Sequence, residues 1–369
     1  MRLPLADRIV LREMGMPLAA GLFAILQLLV VAQLLQLNEV VFSSAITLRD
    51  LGRVTAAFAP HFLVMAVPLA YMLGLQLGVG RLAADRELLA LATAGQSPLR
   101  LYRVPCMLAL ALALCVAALA RWAEPWGLQE VNRVLNGVIK RSLKSGLLPG
   151  VFNDALPRFM VYVSGDDRGT WKGVLIEDEV GDGAPLLALA ESGHVEDAGG
   201  EALALRLYRG ELHRSEPKGE TVARFSEGSF LVGVQDPVAR QNRLMGTESA
   251  LSDAQLRQRV EELLRQGKRR DAVRFQLEVV RRRAVPLVCV LFAILAVPLA
   301  VVARGVRGSA YLVTLGVFVA FYVLSRLAVA LAENGVNAWV AGLMPDAAVL
   351  VVGLLYTAAL IRRGVGKPA

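Results

Sequence analysis

Residues 284–303 read AVPLVCVLFAILAVPLAVVA, without a single charged side chain, between Arg281, Arg282 and Arg283 on one side and Arg304 on the other. An α-helix rises 1.5 Å per residue, so roughly 20 such residues cover the hydrocarbon core of a bilayer. The stretch is therefore a membrane span and not the core helix of a soluble domain. Working outward, five more windows have the same character: approximately Met14 to Gln36, Val54 to Gly78, Leu101 to Ala120, Ser309 to Ala332 and Gly342 to Ile361. The whole chain agrees with them. Its 369 residues are 55% hydrophobic and its mean hydropathy is +0.51, which excludes a water-soluble enzyme. Arg2, Arg8 and Arg12 precede the first window as they would in a signal peptide, but the apolar run is too long and no small-x-small site closes it. It is expected to stay as an anchor.

The formal net charge of +8 would raise nucleic acid for a soluble chain. In a membrane protein it reports Arg-rich cytoplasmic loops, and no nucleic acid is expected as a partner. With the N-terminus inside, the inner segments hold Arg2, Arg8, Arg12, Arg81, Arg86, Arg100, Arg103, Arg304, Arg307, Arg362, Arg363 and Lys367, against Arg49 and Arg53 in the short outer loops. Both termini are then cytoplasmic and the long segment between spans three and four is outside. Arg281, Arg282 and Arg283 conflict with this rule at the outer end of span four. Either that helix continues well beyond the membrane, or an anionic group meets it there.

Between about Gly150 and Val234 the hydrophobic period changes to two. Phe159, Val161 and Val163 alternate with Met160 and Tyr162, and Leu203, Leu205 and Leu207 with Ala204, Arg206 and Tyr208. Trp171 to Glu177, Leu186 to Ala190 and Phe230 to Val234 are further strand candidates. Turn residues at Gly165 to Gly169, Gly181 to Pro185, Gly199 to Gly200 and Pro217 to Gly219 give the spacing of an antiparallel sandwich or barrel. From Leu251 the period is helical again, with Ser252 and Gln255 placed as a capping box. A second helix from about Asp271 is expected to run unbroken into span four. Cys106, Cys115 and Cys289 all fall inside spans, so no disulfide framework is implied.

Chemistry-bearing motifs are sparse. The sequence carries no Walker glycine loop, no HExxH and no serine-hydrolase elbow, and His61, His194 and His213 lack metal-ligand spacing. The chain is thus not itself an ATPase, a membrane metalloprotease loses its main support, and no cofactor of its own is expected. Arg81 to Ala94, between spans two and three, reads as a short amphipathic helix with Leu82, Leu88, Leu89 and Leu91 among Asp85, Arg86 and Glu87. Its acidic tip suits a protein partner better than an anionic membrane surface. Arg326 lies within span five, where a guanidinium is expensive. Two readings stand: it snorkels to the outer headgroups, or it contacts the phosphate of an anionic lipid in a cavity. Gln33 and Gln36, near the outer end of span one, line the same cavity or bond to a neighbouring helix.

The arrangement resembles the LptF/LptG family of lipopolysaccharide-export permeases: three spans, a periplasmic β-jellyroll, and three more spans. The resemblance covers essentially the whole chain. It is carried by Asp85-Arg86-Glu87-Leu88 through Ala94-Gly95, by Trp122 with Pro125-Trp126, by Ser192-Gly193-His194, and by Glu278 with Arg282 ahead of Pro298-Leu299. The tryptophans and the Ser-Gly-His stretch are more similar to the LptF branch than to LptG. The implied fold is membrane α-helical with an inserted all-β domain: residues 1–120 hold spans one to three with a coupling helix near 82–94, residues 121–270 the jellyroll with flanking helices, and residues 271–369 spans four to six.

The implied function is that of a permease subunit in an ATP-driven transporter that extracts lipopolysaccharide from the inner membrane and passes it to a periplasmic bridge. Its partners would be LptG, an LptB ATPase dimer that binds ATP and Mg, LptC and the bridge protein LptA. Asp85, Arg86, Glu87 and Leu88 would couple to the ATPase. Arg326 with Arg282 above it, and Gln33 and Gln36, would meet the lipid head. Phe159, Val161, Leu203 and Leu205 would face acyl chains inside the jellyroll. Where family members carry basic residues near the outer end of span one, this chain has Gln33-Leu34-Leu35-Gln36. The rival reading is a non-transporting scaffold or sensor with a ligand-binding β domain, which co-purification of an ATPase would distinguish.

Overall fold

The computed structural model describes residues 5–36, 46–93, 98–144, 149–156, 159–167, 169–178, 186–197, 202–216, 219–233, 247–302 and 308–363. They form two compact units. One comprises Met1–Ala32, Phe58–Leu128 and Glu248–Ala369, the other Gln33–Ala57 and Gln129–Thr247.

The helices in chain order are α1 (Leu5–Gln36), α2 (Leu48–Ala84), α3 (Glu87–Thr93), α4 (Arg103–Ala118), α5 (Glu124–Lys144), α6 (Asp253–Arg265), α7 (Arg269–Val302), α8 (Ser309–Glu333) and α9 (Ala338–Arg363). The six apolar windows all lie on helices long enough to cross a membrane. Span three is longer than its apolar run suggests: a π-helical turn at Leu119–Ala123 carries α4 into α5 without a break.

In the first unit, α2 and α7 are the central elements. Tyr71, Met72, Leu75 and Val79 of α2 share one core with Val288, Phe292, Ala296 and Val297 of α7, and with Val10 and Met14 of α1. Gly74 and Gly78 let α1 in close. A Cβ on Gly74 would sit 2.8 Å from Leu18 Cβ, and one on Gly78 2.9 Å from the Met14 backbone nitrogen. Two backbone carbonyls in this unit are matched by side-chain hydroxyls. Pro298 removes the amide that would bond the Ile294 carbonyl, and Thr357 Oγ1 donates to that carbonyl at 3.3 Å while accepting from Tyr102 at 2.9 Å. Tyr71 donates to the Pro105 carbonyl at 2.7 Å. The apolar windows of α1 and α8 are only 11% buried, against 72% for α2 and 61% for α7.

The second unit holds a six-stranded antiparallel sheet in the order β1 to β6: β1 (Phe152–Leu156), β2 (Phe159–Asp167), β3 (Thr170–Asp178), β4 (Leu186–Asp197), β5 (Ala202–Glu216) and β6 (Gly219–Gly233). Among the described residues this is a meander, each strand paired with the next. β1 and most of β6 are additions to the strands read from sequence. The turn positions at 181–185, 199–200 and 217–218 lie outside the described residues.

One sheet face is closed to solvent by Val161, Val163, Trp171, Val174, Ile176, Ala188, Leu205 and Leu207. A single sheet manages this through a crease. The pairing from β2 to β6 skips Ser164, Gly173, Glu191, Arg209 and Ser226, one residue per strand, with the register unchanged on either side. Across that row the inward positions change parity: Trp171 and then Val174 and Ile176, or Leu205 and Leu207 and then Leu212. Gly173 (φ 56°) and Arg209 (φ 50°) supply positive-φ turns there. Strands that bend at such a corner let a sheet pack over its own core.

Candidate functional site

The segment expected to dock a partner is built differently from its sequence reading. Arg81 to Ala84 are the last turn of α2, and α3 does not start until Glu87. Asp85 and Arg86 form the turn between them, with Arg86 in the left-handed region (φ 60°). The Asp85 amide bonds the Arg81 carbonyl at 2.9 Å, closing α2, and the Ala90 amide bonds the Arg86 carbonyl at 3.0 Å, opening α3. The expectation of one helix over Arg81 to Ala94 is corrected accordingly; Ala94 and Gly95 lie outside the described residues. Leu82, Ala83 and Leu88 are buried while Asp85, Arg86 and Glu87 are exposed. The apolar side thus anchors the turn and leaves an acid-base-acid edge exposed. Arg81 donates to Glu13 of α1 at 3.1 Å.

The arginines at the N-terminal end of the apolar run of span four find both of the explanations left open. α7 begins at Arg269, so the helix extends well beyond the apolar run, and carboxylates wait on its neighbours. Arg281 donates to Glu124 Oε1 at 2.7 Å and to Glu278 Oε2 at 2.7 Å. Glu124 is fully buried and also takes His61 Nδ1 at 2.7 Å. Arg282 donates to Glu278 at 3.1 Å, Asp253 at 3.0 Å and the Leu251 and Ser249 carbonyls at 2.7 and 3.0 Å. Arg121 closes the group on Asp253 at 3.0 Å. The expectation that Arg282 meets substrate is therefore corrected. Buried and engaged on all three nitrogens, it clasps the turn before α6, whose Ser252–Gln255 capping box is present as read.

Glu124 and His61 were not singled out from sequence. The three unexplained arginines were the only signal, and they do not say which distant carboxylate answers them.

Arg326 is exposed on α8 and makes no ion pair among the described residues. Gln33 is buried on α1; Gln36 ends that helix, and its side chain lies outside the described residues. In the sheet, Val161 and Leu205 are both fully buried in the core around Trp171. Phe159 and Leu203 occupy register positions opposite Asp178 and Val232, and their side chains lie outside the described residues. Arg206 is on the other face, bonded to Glu196 at 2.5 Å and Glu227 at 3.0 Å. A groove of about 480 Å³ follows the crease, lined by Tyr162, Leu175, Leu189, Glu191, Arg209 and Glu211 among others. Arg224, donating to Glu211 at 2.7 Å, holds that carboxyl below the usual carboxylate range. No group of His, Cys, Asp or Glu among the described residues could hold a metal ion.

The sequence model of the lipopolysaccharide export system permease LptF/LptG family matches residues 8–362. This chain belongs to the LptF/LptG family. Its similarity to individual members is partial. It is 26% identical over 139 residues to the lipopolysaccharide export system permease protein LptF of Escherichia coli K12, a match covering 37% of this chain and 38% of that protein. The LptF proteins of Escherichia coli O157:H7 and Shigella flexneri match to the same extent. LptF/LptG membership accounts for the order of elements, six helices long and apolar enough to cross a membrane with a sheet between the third and the fourth. It also separates two kinds of charged residue in this permease. The cluster around Arg281 is bonded internally, whereas Asp85, Arg86, Glu87 and Arg326 are exposed.

Proposed function

We propose that the chain is a transport subunit that moves lipopolysaccharide out of the inner membrane under the drive of a partner ATPase. The observation that carries this reading is the unequal burial of its spans. Apolar helices covered on only 11% of their window, as α1 and α8 are, are either bathed in lipid or closed by a second permease. In this reading the lipid entrance lies at these two spans, between opposed subunits, as the family resemblance implies. In this reading the partner is LptG, the cavity between the two permeases holds the acyl chains, and Arg326 meets a phosphate of the head. Gln33 and Gln36 border the same space with neutral donors in place of cations.

The exposed edge Asp85-Arg86-Glu87, with Leu88 anchoring it, receives the stroke of an LptB dimer loaded with ATP and Mg. Both termini are cytoplasmic and the creased sheet is periplasmic, where it serves as the jellyroll that hands lipid through LptC to LptA. Residues 1–120, 121–270 and 271–369 then act as entrance with coupling turn, conduit, and second half of the cavity wall. Val161 and Leu205, with Phe159 and Leu203, line that conduit when the sheet opens.

The test is purification in mild detergent after co-expression with the neighbouring permease and ATPase, followed by identification of bound proteins and lipid. Recovery of a complex that hydrolyses ATP and carries lipopolysaccharide supports the reading; a chain that purifies alone and lipid-free overturns it.

A further inference from the structure

Asp346 is an acidic residue inside a span, with no counter-ion among the described residues. It lies about two turns, roughly 12 Å, into α9, is only 7% exposed, and neither of its oxygens has a hydrogen-bond partner among the described residues. An uncompensated buried carboxylate is strongly unfavourable, and a cation that reaches it in another state would stabilise its charged form.

The charged and titratable groups on the packed elements narrow the choice. On α7, Glu278, Arg281 and Arg282 are bonded to one another and to Glu124 and Asp253. Arg274 pairs with Glu333 of α8. Tyr102, from the 3-10 turn before α4, is bonded to Thr357. Arg326 of α8 is exposed, and it lies some 200° around that helix from Ala328, which packs in the cluster with Ala341 and Met344 of α9. Arg283 is left. It is exposed, makes no ion pair among the described residues, and its guanidinium rests 5.1 Å from the centroid of the Trp339 ring.

Trp339 and Asp346 are seven residues apart on α9 and so share one face. That face packs on α7. A Cβ on Gly342 would meet Val280 Cγ1 at 2.7 Å, and one on Gly353 would meet Ile294 Cγ2 at 3.2 Å. The two helices therefore run parallel, and interpolation between these contacts sets Asp346 level with about Val285. Arg283 arises within roughly 3 Å of that level along the helix axes. Helical side chains lean towards the N-terminus, which carries the Asp346 carboxylate towards the turn that bears Arg283.

We propose that Asp346 is the second seat of the Arg283 guanidinium. In this conformation Arg283 is stacked on Trp339 at the exposed rim. In another, with the outer ends of α7 and α9 drawn together, it leaves the ring and pairs with Asp346. The device sets how those two spans pack, whichever lipid is carried.

Fluorine NMR of the purified complex labelled with 5-fluorotryptophan tests this, the Trp339 resonance being assigned with Trp339→Phe. Spectra are taken without nucleotide and with a non-hydrolysable ATP analogue. The wild type is expected to give two Trp339 environments whose proportions change with nucleotide. Asp346→Asn should collapse them to the stacked one, Arg283→Gln should give only the unstacked one, and Asp346→Glu should keep both. The signals of Trp122, Trp126 and Trp171 report whether each variant is folded. A Trp339 signal that is identical in wild type and Asp346→Asn under both conditions, in an intact complex, overturns the proposal. Absence of an ATPase from the complex is a failure of the transport reading instead, and Asp346→Asn compared with wild type in the lone chain then decides this one.

Discussion

Arg281 and Glu124 stand 157 residues apart in the chain and meet at 2.7 Å. The contact ties the C-terminal end of span three to the N-terminal end of span four with a carboxylate that has no access to solvent. Removing one partner of a buried pair costs up to about 3–5 kcal/mol, and the second contacts, Arg281 to Glu278 and His61 to Glu124, retain part of that. Glu124→Gln and Arg281→Met should each lower the melting temperature in detergent substantially, and the double variant should lose less than the sum of the two. Strict additivity would show that the pair contributes nothing as a pair.

Asp85 and Glu87 are exposed beside a buried anchor, so their substitution should not disturb folding. The double variant Asp85→Lys, Glu87→Lys is expected to keep its melting temperature and to recover markedly less ATPase in affinity purification, because like charges facing each other across an interface cost up to several kcal/mol. Full recovery of the ATPase would move the docking surface elsewhere.

Arg326 separates substrate contact from anchoring by comparison of two substitutions. Arg and Lys both snorkel, but only the guanidinium offers two parallel hydrogen bonds to a phosphate. If Arg326 holds lipid, Arg326→Lys should lower the lipid retained by the complex while leaving thermal stability close to wild type. Parallel losses of lipid and stability, or no loss in the Lys variant, would make it an anchor only.

The buried face of the sheet is filled, so if the sheet is the lipid conduit proposed above, acyl chains reach that face only after it opens. A photo-crosslinker at Leu205 should capture lipid in the complex during ATP turnover and not at rest, and one at Arg206 in neither condition. Trp171→Ala should destabilise the sheet by about 3–5 kcal/mol, seen as loss of a protease-resistant fragment. Capture at Arg206 alone would reverse the assignment of the faces.

Topology is testable with a cysteine at Glu191 or Arg86 in a variant lacking Cys106, Cys115 and Cys289. An impermeant reagent added from the periplasmic side should label the first and spare the second. Equal labelling of both would refute the orientation drawn from the arginines.

The architecture was largely legible because its two periods are local. Spans follow from apolar length, strands β2 to β5 from alternation, and the Ser252–Gln255 cap from spacing, each read within a few residues. What was not legible depends on backbone geometry or on distant partners. Arg86 adopts a left-handed conformation that its residue type does not advertise, so the last turn of α2 and α3 read as one helix over Arg81 to Ala94. β6 is long but carries polar runs such as Ser226-Glu227-Gly228-Ser229, which mask its alternation. Arg282 looked like an open cation because its helix is all that the local sequence shows. Asp253 and the carbonyls that occupy it come from another segment, and only folding brings them there.

The row from Ser164 to Ser226 has one more implication. A book opens at its spine because the pages are not glued there, and in this sheet the strand pairing is already interrupted along that single line. Its two leaves can part without giving up a further rung between strands, so the resistance to parting comes from prying Trp171, Leu205 and their neighbours away from one another. Such a resistance scales with apolar contact, and an acyl chain sliding between the leaves returns that contact as fast as it is lost.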